Sequence, residues 1–198
     1  MSAAGITARP AGRAAGRLQT IVVIGVTAIV IGIAAVVVGG PGSDGVTKID
    51  LSGDVAGAAP AVGAVPPGFT GLTYDGKTVR LSDYAGKPLW LTFGASWCPD
   101  CRSEAPDVEA TYEKYRAQGL QVLAVFIEEP AADIAGYAGR AGLTFPIVVD
   151  QQTLIASAYR TLGIPTHFFI GADGTIKEVR IGALHADEMD RAVAALLP

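Results

Sequence analysis

The segment Leu89–Cys101, which reads LWLTFGASWCPDC, joins a short apolar run to a closely spaced pair of cysteines. The run Leu89–Phe93 carries no charge, and its length and composition predict a buried strand. Beyond the second cysteine, apolar side chains recur at helical spacing, at Ala105, Val108, Tyr112 and Tyr115, and Gly119 is placed to end the helix. The segment therefore predicts a strand that leads directly into a helix, with both cysteines at the junction.

The two cysteines, Cys98 and Cys101, lie at the predicted start of this helix. A sulfur near the N-cap meets unpaired backbone N–H groups and the positive end of the helix dipole, which stabilise a thiolate. Pro99 falls at the first helical position, where its missing N–H costs nothing, whereas the charge of Asp100 opposes thiolate formation. One helical turn brings Cys101 close enough to close a small disulfide ring. The pattern indicates a redox-active pair, and a structural disulfide or two inert thiols is the alternative.

The rest of the chain after residue 68 alternates between apolar runs and amphipathic helical patterns. Asp75–Gly76 and Asp173–Gly174 each separate two short strand patterns, which predicts two hairpins. The other predicted elements are strands at Leu120–Ile127 and Phe145–Val149 and helices after Pro130, at Thr153–Tyr159 and around Met189–Leu196. Strands that alternate with helices predict an α/β fold whose sheet is covered on both faces.

Two motifs together resemble a known family. Trp97–Cys101 (WCPDC) resembles the active-site motif of thioredoxin-fold proteins, and Gly163–Thr166 (GIPT) resembles their cis-proline loop. The segments that narrow the resemblance to membrane-anchored TlpA/ResA-type thiol–disulfide oxidoreductases are Asp75–Leu81 with Gly86–Pro88, Thr144–Pro146 with Asp150, and Phe169–Ile170 with Asp173–Gly174. The resemblance covers residues 68–198. It implies a thioredoxin-like α/β fold with a central mixed sheet, an N-terminal β-hairpin and an inserted strand–helix unit over Leu120–Asp150.

The resemblance also implies roles for the site residues. Cys98 would be the exposed attacking thiolate, and Cys101 the resolving thiol that releases the mixed disulfide. Pro165, expected cis, would hold the chain against the sulfurs, and the Thr166 side of its loop would pair with a substrate backbone. Trp97 would shelter the edge of the site, which also includes Pro99 and Asp100. No cofactor and no metal site is expected.

Glu104, His167 and Asp150 are each open to two interpretations. Glu104 matches the acidic position that the ResA type uses near its thiols, where it could take the proton of Cys101, but a solvated glutamate on a helix face is the alternative. Thr92 occupies the position at which plain thioredoxins bury an aspartate. His167 is interpreted as a satisfied or half-buried strand histidine in preference to a ligand, and Asp150 as a helix cap in preference to a catalytic group.

The N-terminal third of the chain predicts a membrane anchor and a tether. Residues 21–40 contain no charged side chain and are long enough to span a bilayer as a helix. The basic residues of 1–20 (Arg9, Arg13 and Arg17) place that end in the cytoplasm and residues 68–198 outside it. A cleaved signal peptide is the alternative, although the run is longer than is usual for one. Residues 41–67 are rich in Gly, Pro and Ala, which predicts a flexible tether, with a short strand over Val46–Leu51.

Composition excludes several classes of function. Half of the 198 residues are hydrophobic and 17% are charged, which excludes wholesale disorder. Twelve of the fifteen basic residues and all nineteen acidic residues follow residue 20, so the body has a net charge of −7 and is not expected to bind nucleic acid. Two cysteines are too few for a disulfide-rich scaffold or a four-thiolate zinc site.

The expected function is that of a monomeric, membrane-tethered reductant of specific protein disulfides outside the cytoplasm, as in cytochrome c maturation. Its partners would be protein thiol and disulfide substrates and a membrane thiol electron donor. One alternative is a Cu(I) chaperone that uses Cys98, Cys101 and His167, because soft thiolates suit that metal. A second alternative is a thiol peroxidase, although the Pro-x-x-x-Thr-x-x run that precedes a peroxidatic cysteine is absent.

Overall fold

A five-stranded mixed sheet organises the protein around the predicted strand–helix junction. The computed structural model describes residues 48–53 and 57–197. Its strands are β1 (Asp50–Ser52), β2 (Gly68–Leu72), β3 (Thr78–Arg80), β4 (Leu89–Gly94), β5 (Gln121–Ile127), β6 (Ile147–Asp150), β7 (Thr166–Ile170) and β8 (Ile176–Ile181). Its α-helices are α1 (Pro99–Tyr115), α2 (Ala131–Ala141), α3 (Leu154–Ala158) and α4 (Ala186–Ala194), with 3₁₀ turns at Leu81–Tyr84 and Arg116–Gln118.

The central sheet has the strand order β6-β5-β4-β7-β8. Strands β4, β5 and β6 run parallel, whereas β7 and β8 run antiparallel to their neighbours. This arrangement is the predicted thioredoxin-like α/β fold with a mixed sheet. The stretch 120–150, expected as an inserted unit, provides β5, α2 and β6. Because β5, which is apolar from Val122 to Ile127, lies between β4 and β6, this part of the stretch belongs to the interior of the sheet and is not an addition at its edge.

The two faces of the central sheet form separate apolar layers. Along β4, Trp90 faces the layer that contains α1, α2 and α4. Leu91 and Phe93 face the opposite layer, which contains α3 and strand β2. Trp90 is fully buried, which confirms the prediction that it belongs to the core. Every residue of β4 is buried, so the strand is a rigid base for the segment that follows it.

A second, antiparallel sheet of β1, β2 and β3 covers one edge of the fold. Tyr74, which follows this sheet, donates its backbone N–H to the carbonyl oxygen of Ile147 at 3.1 Å. Strand β1 lies within the segment 41–67 predicted as a tether, and Gly63 of the same segment donates its N–H to Ile176 at 2.8 Å. Part of that segment is therefore paired with the domain. Residues 41–47 and 54–56 lie outside the described residues.

The predicted membrane anchor at residues 21–40 also lies outside the described residues, as does the segment 1–20. Within residues 48–53 and 57–197, no helix combines the length and the hydrophobicity needed to cross a bilayer.

Asp150 shows how the structure settles one of the open interpretations. It ends β6, and its two carboxylate oxygens accept the backbone N–H groups of Leu154 at 2.8 Å and Ala156 at 2.9 Å. The residue therefore caps the first turn of α3, as predicted. Burial raises the pKa of this carboxyl group, and the N–H donors of the helix oppose the rise.

Candidate active site

Cys98 and Cys101 form a disulfide at the first turn of α1. Strand β4 ends at Gly94, and four residues later Cys98 caps the helix, with Pro99 at its first position. The backbone N–H of Cys101 donates to the sulfur of Cys98 at 3.2 Å, and the two Cα atoms are 5.3 Å apart. The same N–H group can stabilise a thiolate on Cys98 once the disulfide is reduced. The exposed carboxylate of Asp100 lies in the same turn.

The two cysteines are largely buried. In the disulfide form Cys98 is only 4% exposed and Cys101 is 7% exposed. The expected exposure of the Cys98 thiolate concerns the reduced form and stays a prediction. The cover comes from Ala95 and from Ile164, whose carbonyl oxygen lies 3.8 Å from the sulfur of Cys98. A substrate sulfur must therefore enter beside Ile164. In the reduced protein the thiol of Cys98 gains a hydrogen that it can donate to this carbonyl.

The loop that covers Cys98 contains a cis peptide bond between Ile164 and Pro165, as the resemblance implies. The carbonyl of Pro165 accepts the N–H of Gly182 at 2.8 Å. Thr166 is buried within β7, where its hydroxyl donates to the carbonyl of Gly163 at 2.6 Å. The loop residue against the disulfide is therefore Ile164. The expected pairing of the Thr166 side of the loop with a substrate backbone stays a prediction.

Glu104 faces the interior of the protein and not solvent. It is 5% exposed, and its Oε2 accepts the backbone N–H of Leu184 at 3.0 Å. Glu104 also lines a small internal cavity together with Cys101, Thr92 and Gly94. The cavity has a volume of about 20 Å³, which is enough for one water molecule. The carboxylate and Cys101 therefore line the same small cavity, and the interpretation of Glu104 as a solvated surface residue is wrong.

His167 completes a buried polar cluster with Glu104. Its ring is 0% exposed, and its Nδ1 accepts the indole N–H of Trp90 at 3.2 Å. The hydroxyl of Thr92, its cross-strand partner, lies 3.0 Å from the same nitrogen. The other ring nitrogen, Nε2, lies 3.4 Å from Oε2 of Glu104. In the sequence, Thr92, Glu104 and His167 are three separate polar residues. The pairing of β4 with β7 places Thr92 beside His167, and the packing of α1 on the sheet brings Glu104 to them.

The geometry of His167 argues against a copper site. Its Nδ1 is occupied by Trp90 and its Nε2 faces Glu104, so neither nitrogen is directed at the Cys98–Cys101 pair. Across residues 48–53 and 57–197, no group of three or more His, Cys, Asp or Glu side chains is arranged to hold a metal ion.

Glu129 is a site residue that sequence reasoning misses. Its buried carboxylate accepts the backbone N–H of Ser96 at 2.7 Å and also accepts the hydroxyl of Ser96. Ser96 directly precedes Trp97 and Cys98, so Glu129 holds the loop that presents the disulfide. The two residues are 33 positions apart, and only the parallel pairing of β4 with β5 brings them together. No local pattern indicates this contact.

Trp97 separates two surface depressions beside the disulfide, and its side chain is 51% exposed. One depression, of about 340 Å³, is lined by Trp97, Leu162 and Ile164 among others, and Leu162 is almost fully exposed. The other, of about 360 Å³, carries charged groups that include Glu128, Asp133 and Arg140. Glu128 borders both and has a positive φ of 57°, a conformation that is strained for a non-glycine residue.

Comparison with known proteins points to one family. The model of the AhpC/TSA family matches residues 62–179. Thiol-disulfide oxidoreductase ResA from Geobacillus kaustophilus is 37% identical over 140 residues, which covers 71% of this chain and 80% of the relative. The ResA protein from Geobacillus thermodenitrificans is 36% identical over the same shares.

Solved structures that are similar to this chain are also described as thiol–disulfide exchange proteins. A thiol:disulfide interchange protein of the thioredoxin family from Chlorobium tepidum is 30% identical, with a TM-score of 0.62 over 72% of this chain and 100% of the other. A secreted disulfide oxidoreductase from Mycobacterium tuberculosis, homologous to DsbE of Escherichia coli, is 25% identical, with a TM-score of 0.59 over 64% of this chain and 95% of the other.

Proposed function

We propose that this chain, which belongs to the AhpC/TSA family and is a thiol–disulfide oxidoreductase of the ResA/DsbE type, reduces specific protein disulfides outside the cytoplasm. The observation that carries the proposal is the Cys98–Cys101 disulfide in the first turn of α1, covered by Ile164 beside the cis peptide bond. Residues 21–40 would anchor the protein in the membrane.

The proposed reaction is an exchange of two electrons between dithiol and disulfide. The thiolate of Cys98 attacks one sulfur of the substrate disulfide, a bond forms between these two sulfurs, and the other substrate sulfur leaves as a thiolate. Glu104 accepts the proton of Cys101, directly or through a water molecule in their shared cavity. The thiolate of Cys101 then attacks the sulfur of Cys98 and releases the second substrate sulfur. The substrate is reduced, and the Cys98–Cys101 disulfide forms.

Two negative groups beside the pair support the reducing direction. Glu104 shares the cavity of Cys101, and Asp100 lies in the same helical turn as both sulfurs. Negative charge disfavours the thiolate in the reduced form and so lowers the reduction potential of the pair. We expect a potential near that of thioredoxin, about −270 mV, in equilibration with a glutathione or dithiothreitol buffer. A potential near that of DsbA, about −120 mV, would contradict the reductant assignment.

The proposed location rests on residues 21–40 and the arginines that precede them. The Mycobacterium tuberculosis relative is described as secreted, which supports a site of action outside the cytoplasm. The test uses cells that express the full-length chain and whose cell wall or outer membrane has been permeabilised. An added protease should then digest residues 68–198, while a cytoplasmic marker protein stays intact. If the protease digests residues 68–198 only after the cytoplasmic membrane has been lysed, the proposed location is wrong.

Trapping of the mixed disulfide tests the proposed substrates. Cys101→Ser leaves Cys98 able to attack a substrate but removes the thiol that releases it, so partners should accumulate as covalent adducts. The matched control is Cys98→Ser with Cys101→Ser, which cannot form them. We expect a small set of extracytoplasmic proteins, including apocytochromes with a Cys-x-x-Cys-His haem site, and a membrane thiol protein as electron donor. Adducts that are absent or equal in the control would contradict the proposal.

Peroxidase activity and oligomeric state complete the tests of the proposal. A thiol peroxidase would consume peroxide through Cys98 even in Cys101→Ser. We expect no turnover above that of the Cys98→Ser control, and a measurable rate would favour the peroxidase alternative.

The protein is proposed to act as a monomer, and light scattering of the full-length chain in detergent tests this.

A further inference from the structure

We propose that His167 is a positioning residue that holds the Glu104 carboxylate ready to accept the proton of Cys101. The inference rests on the proton-accepting role given to Glu104 in the proposed function. It adds a residue that does not touch either sulfur and that acts only through Glu104.

The first step concerns which ring nitrogen of His167 carries the hydrogen. The indole nitrogen of Trp90 can only donate, and it lies 3.2 Å from Nδ1 of His167. Nδ1 must therefore present a lone pair, so the neutral ring carries its hydrogen on Nε2. Protonation of Nδ1 would set two N–H groups against each other in a position with no access to water, because His167 and Trp90 are both fully buried.

The second step concerns where the Nε2–H group points. Nε2 is buried and makes no hydrogen bond of standard geometry within the described part of the chain. The acceptor that it faces is Oε2 of Glu104, at 3.4 Å. The same oxygen accepts the N–H of Leu184 at 3.0 Å. The carboxylate is thus held by the N–H of Leu184, in the chain before α4, and faces a second N–H group, the Nε2–H of His167 on β7.

The third step is the chemical consequence. Hydrogen bonds to a carboxylate favour its ionised form, which is the form that can accept a proton. A carboxylate that is already held beside the cavity of Cys101 does not have to reorient before it accepts the thiol proton. Without His167, the carboxylate would be held by the N–H of Leu184 alone and would be less well fixed to accept the proton of Cys101. The closure step, in which Cys101 attacks Cys98, would then slow in the acidic range.

Other titratable groups face Glu104 from the elements packed around it. Cys101 lies on the same helix. Tyr137 of α2 senses the charge of Glu104, and the pKa of Tyr137 is raised by burial, with Glu104 and Glu129 adding to the rise and Arg102 opposing it. His185 follows Leu184 on the side of α4. Because none of these groups changes in a substitution of His167, a shift caused by that substitution reports on the Glu104–His167 contact.

The test follows the closure step in the reduced full-length chain. Cys98 attacks the aromatic disulfide DTNB, which releases one thionitrobenzoate and leaves the other bound to Cys98. Cys101 then gives up its proton, attacks the sulfur of Cys98 and releases the second thionitrobenzoate, so the two releases separate in time. The rate of the second release is measured by stopped-flow absorbance across the acidic-to-neutral range.

Two matched variants separate positioning from packing. His167→Gln keeps an N–H donor at the place of Nε2, whereas His167→Asn keeps an acceptor at the place of Nδ1 for Trp90 but has no donor that reaches Glu104. We expect the pH profile of His167→Asn to move to higher pH, with closure slowed by up to about tenfold on its acidic side, and that of His167→Gln to match the wild type. In a Glu104→Gln background, the His167 substitutions should cause no further shift.

The outcomes distinguish this inference from the proposed role of Glu104. If Glu104→Gln shifts or slows closure but His167→Asn matches the wild type, the inference is wrong and the role of Glu104 stands. If Glu104→Gln itself has the wild-type profile, both are wrong. A second measurement needs no variant: the ¹⁵N shifts of the His167 ring should show the Nε2–H tautomer. An Nδ1–H tautomer would overturn the inference even if the variants failed to fold.

Discussion

The backbone N–H of Ser96 donates to the buried carboxylate of Glu129 at 2.7 Å, across 33 residues of sequence. This contact ties the end of β5 to the loop that carries Trp97 and Cys98. It adds a restraint on the loop from outside the strand–helix junction, and it stabilises the position from which Cys98 reacts.

The first prediction concerns this contact. Glu129→Gln replaces a carboxylate that accepts two donors with an amide that has only one acceptor atom. We expect a loss of about 1–3 kcal/mol in the free energy of unfolding, because a partly buried donor of Ser96 loses its partner. Denaturant titration of the oxidised protein measures it. Glu128→Gln removes the same charge from an exposed neighbour and should change stability by less than about 0.5 kcal/mol. If both variants lower the free energy of unfolding equally, the loss of charge is responsible and not the loss of the contact with Ser96.

The second prediction concerns the acid side of the stability profile. Hydrogen bonds from Lys177 and from Thr175 lower the pKa of Asp173 from 3.8 to about 2. A lowered carboxyl pKa contributes stability above the unfolded value that is lost as the pH falls through the folded value. The stability difference between the wild type and Asp173→Asn should therefore be constant near neutral pH and should shrink between about pH 4 and pH 2. Urea titrations at several pH values test this, and a constant difference would contradict it.

The third prediction has the opposite sign. Burial raises the pKa of Asp150 above 3.8, so the folded protein binds this proton more tightly than the unfolded chain does. The corresponding stability is present below the unfolded pKa and is lost as the pH rises through the folded value. Relative to Asp150→Asn, the wild type should therefore gain stability as the pH is lowered from neutral towards the unfolded pKa. The same urea titrations measure it, and Asp173→Asn serves as the comparison of opposite slope.

The fourth prediction concerns two glycines. A Cβ atom on Gly71 in β2 would lie 2.7 Å from Cγ1 of Val148, which belongs to the buried strand β6. Gly71→Ala should therefore lower the free energy of unfolding by about 1–3 kcal/mol through overpacking. Gly139 lies on the exposed side of α2, where an added methyl group would meet no atom within 4 Å, so Gly139→Ala should add up to about 1 kcal/mol. Thermal unfolding distinguishes the two, and a shift of the same sign in both would contradict the packing argument.

Most of the fold was predictable because its signals are local. The apolar run at Leu89–Phe93 forms β4, and the spacing of Ala105 and Val108 predicts the buried face of α1. The Asp-Gly turns also lie where the two hairpins reverse direction. What the patterns did not predict is the position of β5 inside the sheet, since strand order depends on which apolar faces pack together and not on the run itself.

The candidate site also has one part that the sequence predicts and another that only the fold brings together. The sequence alone determined that a reactive cysteine pair starts a helix, because Cys98, Pro99 and Cys101 lie within a single turn whose geometry the backbone sets. Only the tertiary structure decided what surrounds that pair. Ile164 covers Cys98 from 66 residues away, and His167 of β7 meets Glu104 because α1 packs on the sheet. Such contacts depend on strand register and helix packing, which act between distant segments and leave no trace in local spacing.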